Sequence, residues 1–589
     1  MATKRLTSSI TCSTLLLLAL FAAAGCGSEM RRIDRKVDAL LAQTTRNIGA
    51  SVEPRSRAGE MAAPPDRAEQ IDEHPPTVNP DAESLSFTSA DAREAEQVIQ
   101  RLEGYSEMPE DSLRMNLSAA LAYAVHDSRE FRFAEEEYVL SALRLLTERH
   151  RWGPRFFDEV SATISGSGDN GLFDTSLQLV NELRVTQRLP YGGEVSARAL
   201  ANATEDLHER VIGENVQSAD IILTADIPLL RGAGFVARED LIQAERNLIY
   251  AARAFERFRR EFLFDIASDY LNLIVAQQRI SNAQLSVESF RQVEEQQDAL
   301  YRAGRSTPFD AAEAKNRTFE AIDSLNNAQE SYRLALDRFK VRLAMPTNQP
   351  LIIEPDSLAV PTPKVSIDEA VYAAMSYRLD LQTQRDQLAD AARAVENARN
   401  ALLGDLDFSA SVSIPTDEER ARAGLRFQPE DSSFQAGITY GLPLDREIER
   451  LGLRQAEISL ERAHRDYGRF RDDIAVAVRG AVRGIDSALF SLQIQEANVL
   501  IAEQRQASIE ADPARADIRQ RTDAISQIAL ARNQRDSARR DLEVAVLEYL
   551  LATGQLRVDE SGYIQPLQGM ILGEAGEEER NAHEAGPSG

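Results

Sequence analysis

The chain repeats itself. Leu117-Ser118-Ala119-Ala120-Leu121-Ala122-Tyr123-Ala124 returns as Ile367-Asp368-Glu369-Ala370-Val371-Tyr372-Ala373-Ala374, 250 residues on, and Glu130-Phe131 matches Asp380-Leu381 at the same spacing. Gln243-Ala244-Glu245 with Leu248 then matches Gln455-Ala456-Glu457 with Leu460, 212 residues on. Similarity at a long fixed spacing means one structural unit built twice. It replaces the roughly four independent domains that 589 residues suggest at ~150 residues each. The two spacings differ by 38, so the first copy holds about 38 additional residues between the matched points. That interval is where both copies change to β patterning.

In the second copy Phe408, Ala410, Val412 and Ile414 alternate with Ser409, Ser411 and Ser413. Phe434, Ala436, Ile438, Tyr440 and Leu442 alternate with Gln435, Gly437, Thr439 and Gly441. Period two with small polar partners means a sheet with one apolar and one wet face. Each run has about the length of a tilted membrane-spanning strand. The charged stretch from Thr416 to Ser432 between them reads as a long exposed loop. The first copy has Ile221, Leu223, Ala225 and Ile227 in one run, and Val195, Ala197 and Ala199 in another after Tyr191-Gly192-Gly193. The 38-residue insert reads as longer outer loops or extra sheet. A pair of soluble hairpins shares this alternation. If the strands cross a membrane, four of them cannot close a barrel, and lipid does not tolerate an open edge; several chains must then share one barrel.

Long helices follow the strands. Val236 to about Arg302 contains neither Pro nor Gly. Leu241, Leu248, Phe255 and Phe262 are spaced by seven; after a four-residue step Ile266, Leu273, Ile280 and Val287 continue by seven. That is a heptad pattern with a stutter, in a helix on the order of 100 Å long. After Ala303-Gly304-Arg305-Ser306-Thr307-Pro308 a return helix begins, with Ala314, Ala321, Ala328 and Ala335 allowing close antiparallel packing. The second copy repeats this from about Ile448 to Ile509 and Ala514 to Leu551.

The ends are different in kind. Lys4 and Arg5 precede an apolar run from Leu15 to Ala24, too short to span a bilayer but suited to a signal peptide. It ends in Ala23-Ala24-Gly25-Cys26, which resembles a bacterial lipobox, so Cys26 is expected to become the lipidated first residue. An ordinary signal peptide cut at a small-residue site is the alternative. Gly27 permits outer-membrane sorting by the enteric rule, under which Asp there would retain a lipoprotein at the inner membrane. Cys12 and Cys26 are the only cysteines, which excludes a disulfide framework and a cysteine-based metal site or nucleophile in the body. A net charge of −27 excludes a general nucleic-acid binder. The six His are scattered, and Leu230-Arg231-Gly232-Ala233-Gly234 lacks the Lys-Ser or Lys-Thr of a phosphate loop. No enzyme and no cofactor are expected.

These features together resemble the TolC-type outer-membrane efflux proteins. Arg378-Leu379-Asp380-Leu381 resembles the family's R-P-D-L, with Leu379 in place of Pro. Ile227-Pro228-Leu229-Leu230-Arg231-Gly232-Ala233-Gly234 is similar to Q-P-L-L-R-G-x-G, where a strand passes into the tunnel, and Gly441-Leu442-Pro443-Leu444 is its second copy. Tyr301-Arg302-Ala303-Gly304 with Asp310 is similar to the hairpin tip Y-x-x-G…D. The resemblance covers roughly Asn116 to Leu556. It implies a fold that is mainly α with membrane β: a homotrimer with a 12-stranded barrel, four strands per chain, continued by a periplasmic α-helical coiled-coil tunnel. It also implies a periplasmic adaptor and an inner-membrane pump as partners, outer-membrane lipid around the barrel, and cargo (drugs, metals or secreted polypeptides) chosen by the pump.

The resemblance places carboxylates at the tunnel entrance: Asp310 and Glu313 in the first copy, and Gln520 and Asp523 in the second, with Asp517 one turn earlier. Gln520 stands where the family has an acid. Threefold symmetry would gather such groups into a ring that attracts cations and filters passage. Asp310 is equally placed as a helix N-cap or first-turn acid. Gly304, Arg305 and Arg515 mark the adaptor-facing tips, and Pro228, Gly232, Gly234 and Pro443 the passage from strand to tunnel. The expected organisation is a signal peptide (1–25), a lipid-anchored flexible tether (26–113), a first repeat (114–350), a linker (351–365), a second repeat (366–556) and an acidic flexible tail (557–589). A lipid-anchored structural coiled-coil envelope protein without a pore is the competing reading.

Overall fold

The structure is a computed structural model and describes residues 26–49, 112–169, 172–206, 216–355, 363, 366–416, 427–511 and 517–558. The chain divides into two compact units, one of Met1–Thr44, Tyr138–Ala252 and Leu381–Arg469, the other of Thr45–Glu137, Arg253–Asp380 and Phe470–Gly589. Several helices run from one unit into the other.

The element order runs twice through the same series. After α1 (Cys26–Asn47) and β1 (Leu113–Met115) come α2 (Leu117–Asp127), α3 (Arg129–Arg151), four strands β2 (Arg155–Asp169), β3 (Leu172–Arg188), β4 (Glu194–Asp206) and β5 (Val216–Pro228), then α4 (Glu239–Arg302) and α5 (Pro308–Arg342). The second pass has β6 (Leu351–Ile353), α6 (Ile367–Tyr377), α7 (Leu379–Asn400), two strands β7 (Asp405–Pro415) and β8 (Ser433–Gly441), then α8 (Glu447–Ala511) and α9 (Ile518–Ala552). α2 and α6 have 11 residues each, and α5 and α9 have 35 each. Both short helices start on a side-chain cap. Asn116 accepts from the Ala119 N–H, and Ser366 forms a capping box with Glu369.

In the first unit all six long strands form one antiparallel sheet in the order β2-β3-β4-β5-β7-β8. The resemblance implied four strands per chain; the sheet has six. The first copy therefore spends its surplus residues on extra sheet, with four long strands against two in the second. α1 also belongs to the described residues. The expected flexible tether begins as a helix that buries Val37, Leu40 and Leu41.

In the second unit the heptad positions Phe255, Phe262, Ile266, Leu273 and Val287 of α4 are buried, so the apolar stripe continues through the four-residue stutter. Phe131 packs on Phe255 and Phe262. Ala314 and Ala321 of α5 are buried, as their seven-residue spacing predicts. β1 and β6 pair in parallel, Leu113 opposite Leu351, so the expected linker opens with a strand that joins the starts of the two repeats. Val558 is buried too, which carries ordered chain past the expected end of the second repeat. Beneath this layer lies a buried ionic cluster. Glu256 is 3% exposed and Arg259 1%. Glu256 accepts from Arg259 and Arg260, and the two guanidiniums reach on to the Val558 and Gly554 carbonyls. No described helix is long and apolar enough to cross a membrane.

Candidate functional site

Residues opposite each other in antiparallel strands point to one face, so the register divides the sheet cleanly. One face carries Ile164 and Leu177, Leu183 and Ala199, Ile221 and Ile414, Val412 and Phe434 as cross-strand pairs. The other carries Ser161, Gln178, Glu182, Arg198, Ser196, Thr224 and Ser411. Its polar groups meet across strands. Arg198 lies 3.0 Å from Glu182, Gln178 donates to Asn202 at 3.2 Å, and Ser196 and Thr224 share a hydrogen bond of 2.6 Å. The large exposed apolar residues on these strands, including Val160, Ile164, Leu179, Leu223, Phe434 and Ile438, stand on the apolar face. Phe157 is the exception. It lies on the polar face between the Arg155 and Arg184 guanidiniums, at 5.4 and 5.2 Å from its ring centroid. Such stacking suits an aromatic ring among cations.

The strand-to-helix passage is built around the expected residues. Pro228 is the last residue of β5, opposite Asp407, where a residue without an N–H can end a ladder. The chain then turns through Gly232 and Gly234, both at φ +78°. The Gly232 N–H donates to Asn400 Oδ1 at 2.8 Å, and the Gly234 N–H to the Tyr191 carbonyl at 2.8 Å. Arg231 clamps both carboxylate oxygens of Asp405 through its Nε and Nη2, at 2.5 and 2.9 Å. In the second copy Arg446 donates to the Pro443 carbonyl at 3.1 Å and the Leu402 carbonyl at 3.0 Å. Asn400, Asp405 and Arg446 were not singled out in the sequence. Asp405 and Arg446 carry a signal only in hindsight, as charged residues flanking the strand ends. Asn400 at the end of α7 reads from sequence as an ordinary helix terminus. Below them the β3–β4 turn packs tightly. Gly193 has φ +84°, and a Cβ there would lie 2.1 Å from the Asp226 carbonyl oxygen, so only glycine fits.

Comparison with solved structures decides what this arrangement is. The chain superposes on CusC, reported to form a transmembrane channel, with a TM-score of 0.57 over 76% of this chain and 95% of that one, at 13% identity. It superposes on the outer membrane protein VceC of Vibrio cholerae with a TM-score of 0.56 over 74% of this chain and 96% of that one, at 15% identity. For the CmeC outer membrane channel of Campylobacter jejuni the values are 0.52, 80%, 88% and 14%. The chain has the fold of the TolC-type outer-membrane channels. No family sequence profile and no curated protein matches it.

Within the TolC-type fold, the second unit carries the residues expected at an entrance. The first turns of α5 and α9 lie side by side, with Ala314 and Ala321 in one buried cluster with Ile518 and Ile525. Asp310 is a capping residue. Its carboxylate accepts from the Thr307 hydroxyl at 2.7 Å and N–H at 3.3 Å, while its own N–H donates back to Thr307 at 3.2 Å. These bonds, with Ser306 and the charge of Arg519 adding, hold its carboxyl below the usual range. Glu313 is tied to Arg317 at 3.1 Å. Asp517, just ahead of α9, and Gln520 and Asp523 in its first turns are exposed, while Ile518, Thr522, Ala524 and Ile525 of the same stretch are buried. Gly304, at φ +71°, closes α4 through its N–H to Tyr301, beside Arg305, whose N–H reaches the Leu300 carbonyl. Arg515 lies outside the described residues. Arg378-Leu379-Asp380-Leu381 works as a clasp: Arg378 grips both oxygens of Asp380 through its Nε and Nη2, at 3.0 and 2.5 Å, and its Nη1 donates to the Ala552 carbonyl at 3.2 Å.

Proposed function

We propose that three copies of this chain form a channel across a bacterial outer membrane. Cys26 carries the lipid anchor, and the long helices extend towards a periplasmic adaptor and an inner-membrane pump. The channel supplies a passive path and no catalysis; energy comes from the pump. The observation that carries this reading is the sheet: one face is predominantly apolar along all six strands, the other predominantly polar with an ion pair, and the large apolar residues of the first are exposed. Water does not stabilise such a face, whereas lipid does. A pore-free structural protein has no use for it. Asp517 and Asp523 then form the charged part of the entrance. Asp310 and Glu313 serve first as cap and ion-pair partners of their own helix, and Gln520 adds polarity without charge. Gly304, Arg305 and Arg515 would face the adaptor.

The test is migration of outer-membrane extracts on denaturing gels with and without boiling. A trimer band that collapses to monomer on heating supports the channel. Monomeric protein released by salt refutes it. Incorporation of labelled palmitate, lost in C26S, checks the anchor separately.

A further inference from the structure

We propose that the hairpin β2–β3 is part of the membrane wall, so that the trimer closes an eighteen-stranded barrel through pairing of β2 with β8 of a neighbouring copy. This rests on the channel reading above and gives it a different wall from the twelve strands that the resemblance implies.

Three observations carry it. First, the hairpin is continuous with the rest of the sheet. β3 pairs with β4 along 13 registered positions, from Arg188↔Glu194 to Ser176↔Asp206, with no bulge. Second, it keeps the same two faces in phase. Val160, Ile164, Leu179 and Leu183 stand on the apolar face, and Ser161, Thr163, Gln178 and Glu182 on the polar one. A hairpin hanging in water has no reason to hold that phase, because a slip of one residue would exchange every side chain between faces. Its single polar pair on the apolar face, Asp158 and Asn181, is satisfied internally by a hydrogen bond of 2.8 Å. Third, the free edges lie where the proposal needs them. Among the described residues β2 pairs with β3 alone and β8 with β7 alone. Both edge strands are exposed, β2 from Phe156 to Gly166 and β8 from Ser433 to Tyr440, with Phe156 at 72% and Phe434 at 85%. An open edge is not stable in lipid. With six antiparallel strands per copy, β8 runs opposite to β2 of the next copy, so every seam is again antiparallel and the ring closes by rotation. Barrel diameter grows roughly linearly with strand number, so this wall is about 1.5 times as wide as a twelve-stranded one of equal tilt.

Cysteine pairs on the polar face distinguish the seams. Full-length S161C/Q435C places one thiol on β2 and one on β8, and N202C/Q435C places one on β4 and one on β8. A short bismaleimide added to outer membranes is expected to link S161C/Q435C chains into dimers and trimers that survive boiling. The single variants and N202C/Q435C stay monomeric under the same treatment. Linking of N202C/Q435C with S161C/Q435C unlinked, in protein that still runs as an unboiled trimer, overturns the eighteen-stranded wall and leaves the channel standing with twelve. Loss of the unboiled trimer in the wild-type chain overturns the channel reading itself, and the seam with it.

Discussion

Replacing Glu256 by Gln probes the buried ionic cluster of the second unit. The carboxylate accepts three hydrogen bonds: from Arg259 Nε at 2.9 Å, Arg259 Nη2 at 3.1 Å and Arg260 Nε at 2.8 Å. Gln presents one acceptor, turns an N–H2 group towards a guanidinium, and removes the charge that balances two cations. Arg259 at 1% and Arg260 at 9% exposure then remain buried and lose the carboxylate that both donate to. Breaking a buried pair from one side costs about 3–5 kcal/mol. At roughly 2 °C per kcal/mol for a large cooperative unit, the melting temperature should fall by about 6–10 °C. Removing all three charges (E256L/R259M/R260M) should cost less per group removed, since burial of like-shaped apolar groups is tolerated. Its residual loss comes from the Val558 and Gly554 carbonyls, which lose their donors. The pH dependence has a definite sign. Burial alone would raise the Glu256 carboxyl, but the two guanidiniums hold it below its ordinary 4.5. Its contribution is therefore complete above about pH 4.5 and fades as pH falls through the depressed value. The gap between wild type and E256Q should narrow in acid. The assay is helical circular dichroism of detergent-purified protein on heating, at neutral pH and at stepwise lower pH. A neutral-pH melt within about 1 °C of wild type would refute the reasoning.

Other positions give sharper local readouts. G193A should lower the yield of heat-stable trimer strongly, because the handedness cost of about 1–2 kcal/mol adds to the clash with Asp226; G304A, whose Cβ meets nothing within 4 Å, should incur only the first. T307A should speed amide exchange in the first turn of α5. In the unmutated chain that turn should loosen only as pH falls through the depressed Asp310 value, since the cap is complete above the ordinary 3.8. D517A/D523A should raise single-channel conductance in planar bilayers or abolish block by divalent cations, and unchanged traces would remove these acids from the entrance.

Much of this architecture was legible because its signals are strictly periodic. The heptads of α4 lie where Phe255, Phe262, Ile266 and Leu273 place them, and the two alternating runs of the second copy are β7 and β8. The hairpin β2–β3 was hidden because two of its residues break the alternation from within one strand. Asp158 sits among apolar neighbours and Phe157 among polar ones. Each makes sense only once its cross-strand partners are known, Asn181 for the one and Arg184 for the other. The length difference between the copies was visible, but not its use. At the entrance, sequence placed Asp310 at a helix start and left two roles open. The geometry of Thr307 shows the cap, and the ring remains a proposal. Asn400 was illegible because a side-chain amide at a helix end commonly serves its own helix, and here it serves Gly232, 168 residues away.

The partners of Arg259 and Leu113 set an order on biogenesis. Leu113 waits for Leu351, and Arg259 for Val558, which is 299 residues later. A chain made from its N-terminus therefore emerges with its heptad stripe and buried cations formed in sequence but unmatched in space. Contacts so distant along the chain close late and slowly. For most of its passage the nascent protein presents a long sticky helix surface to its surroundings. Such a chain stays open to proteases until nearly its final turn arrives, so lesions near Gly554 should be felt first as proteolysis of the whole chain.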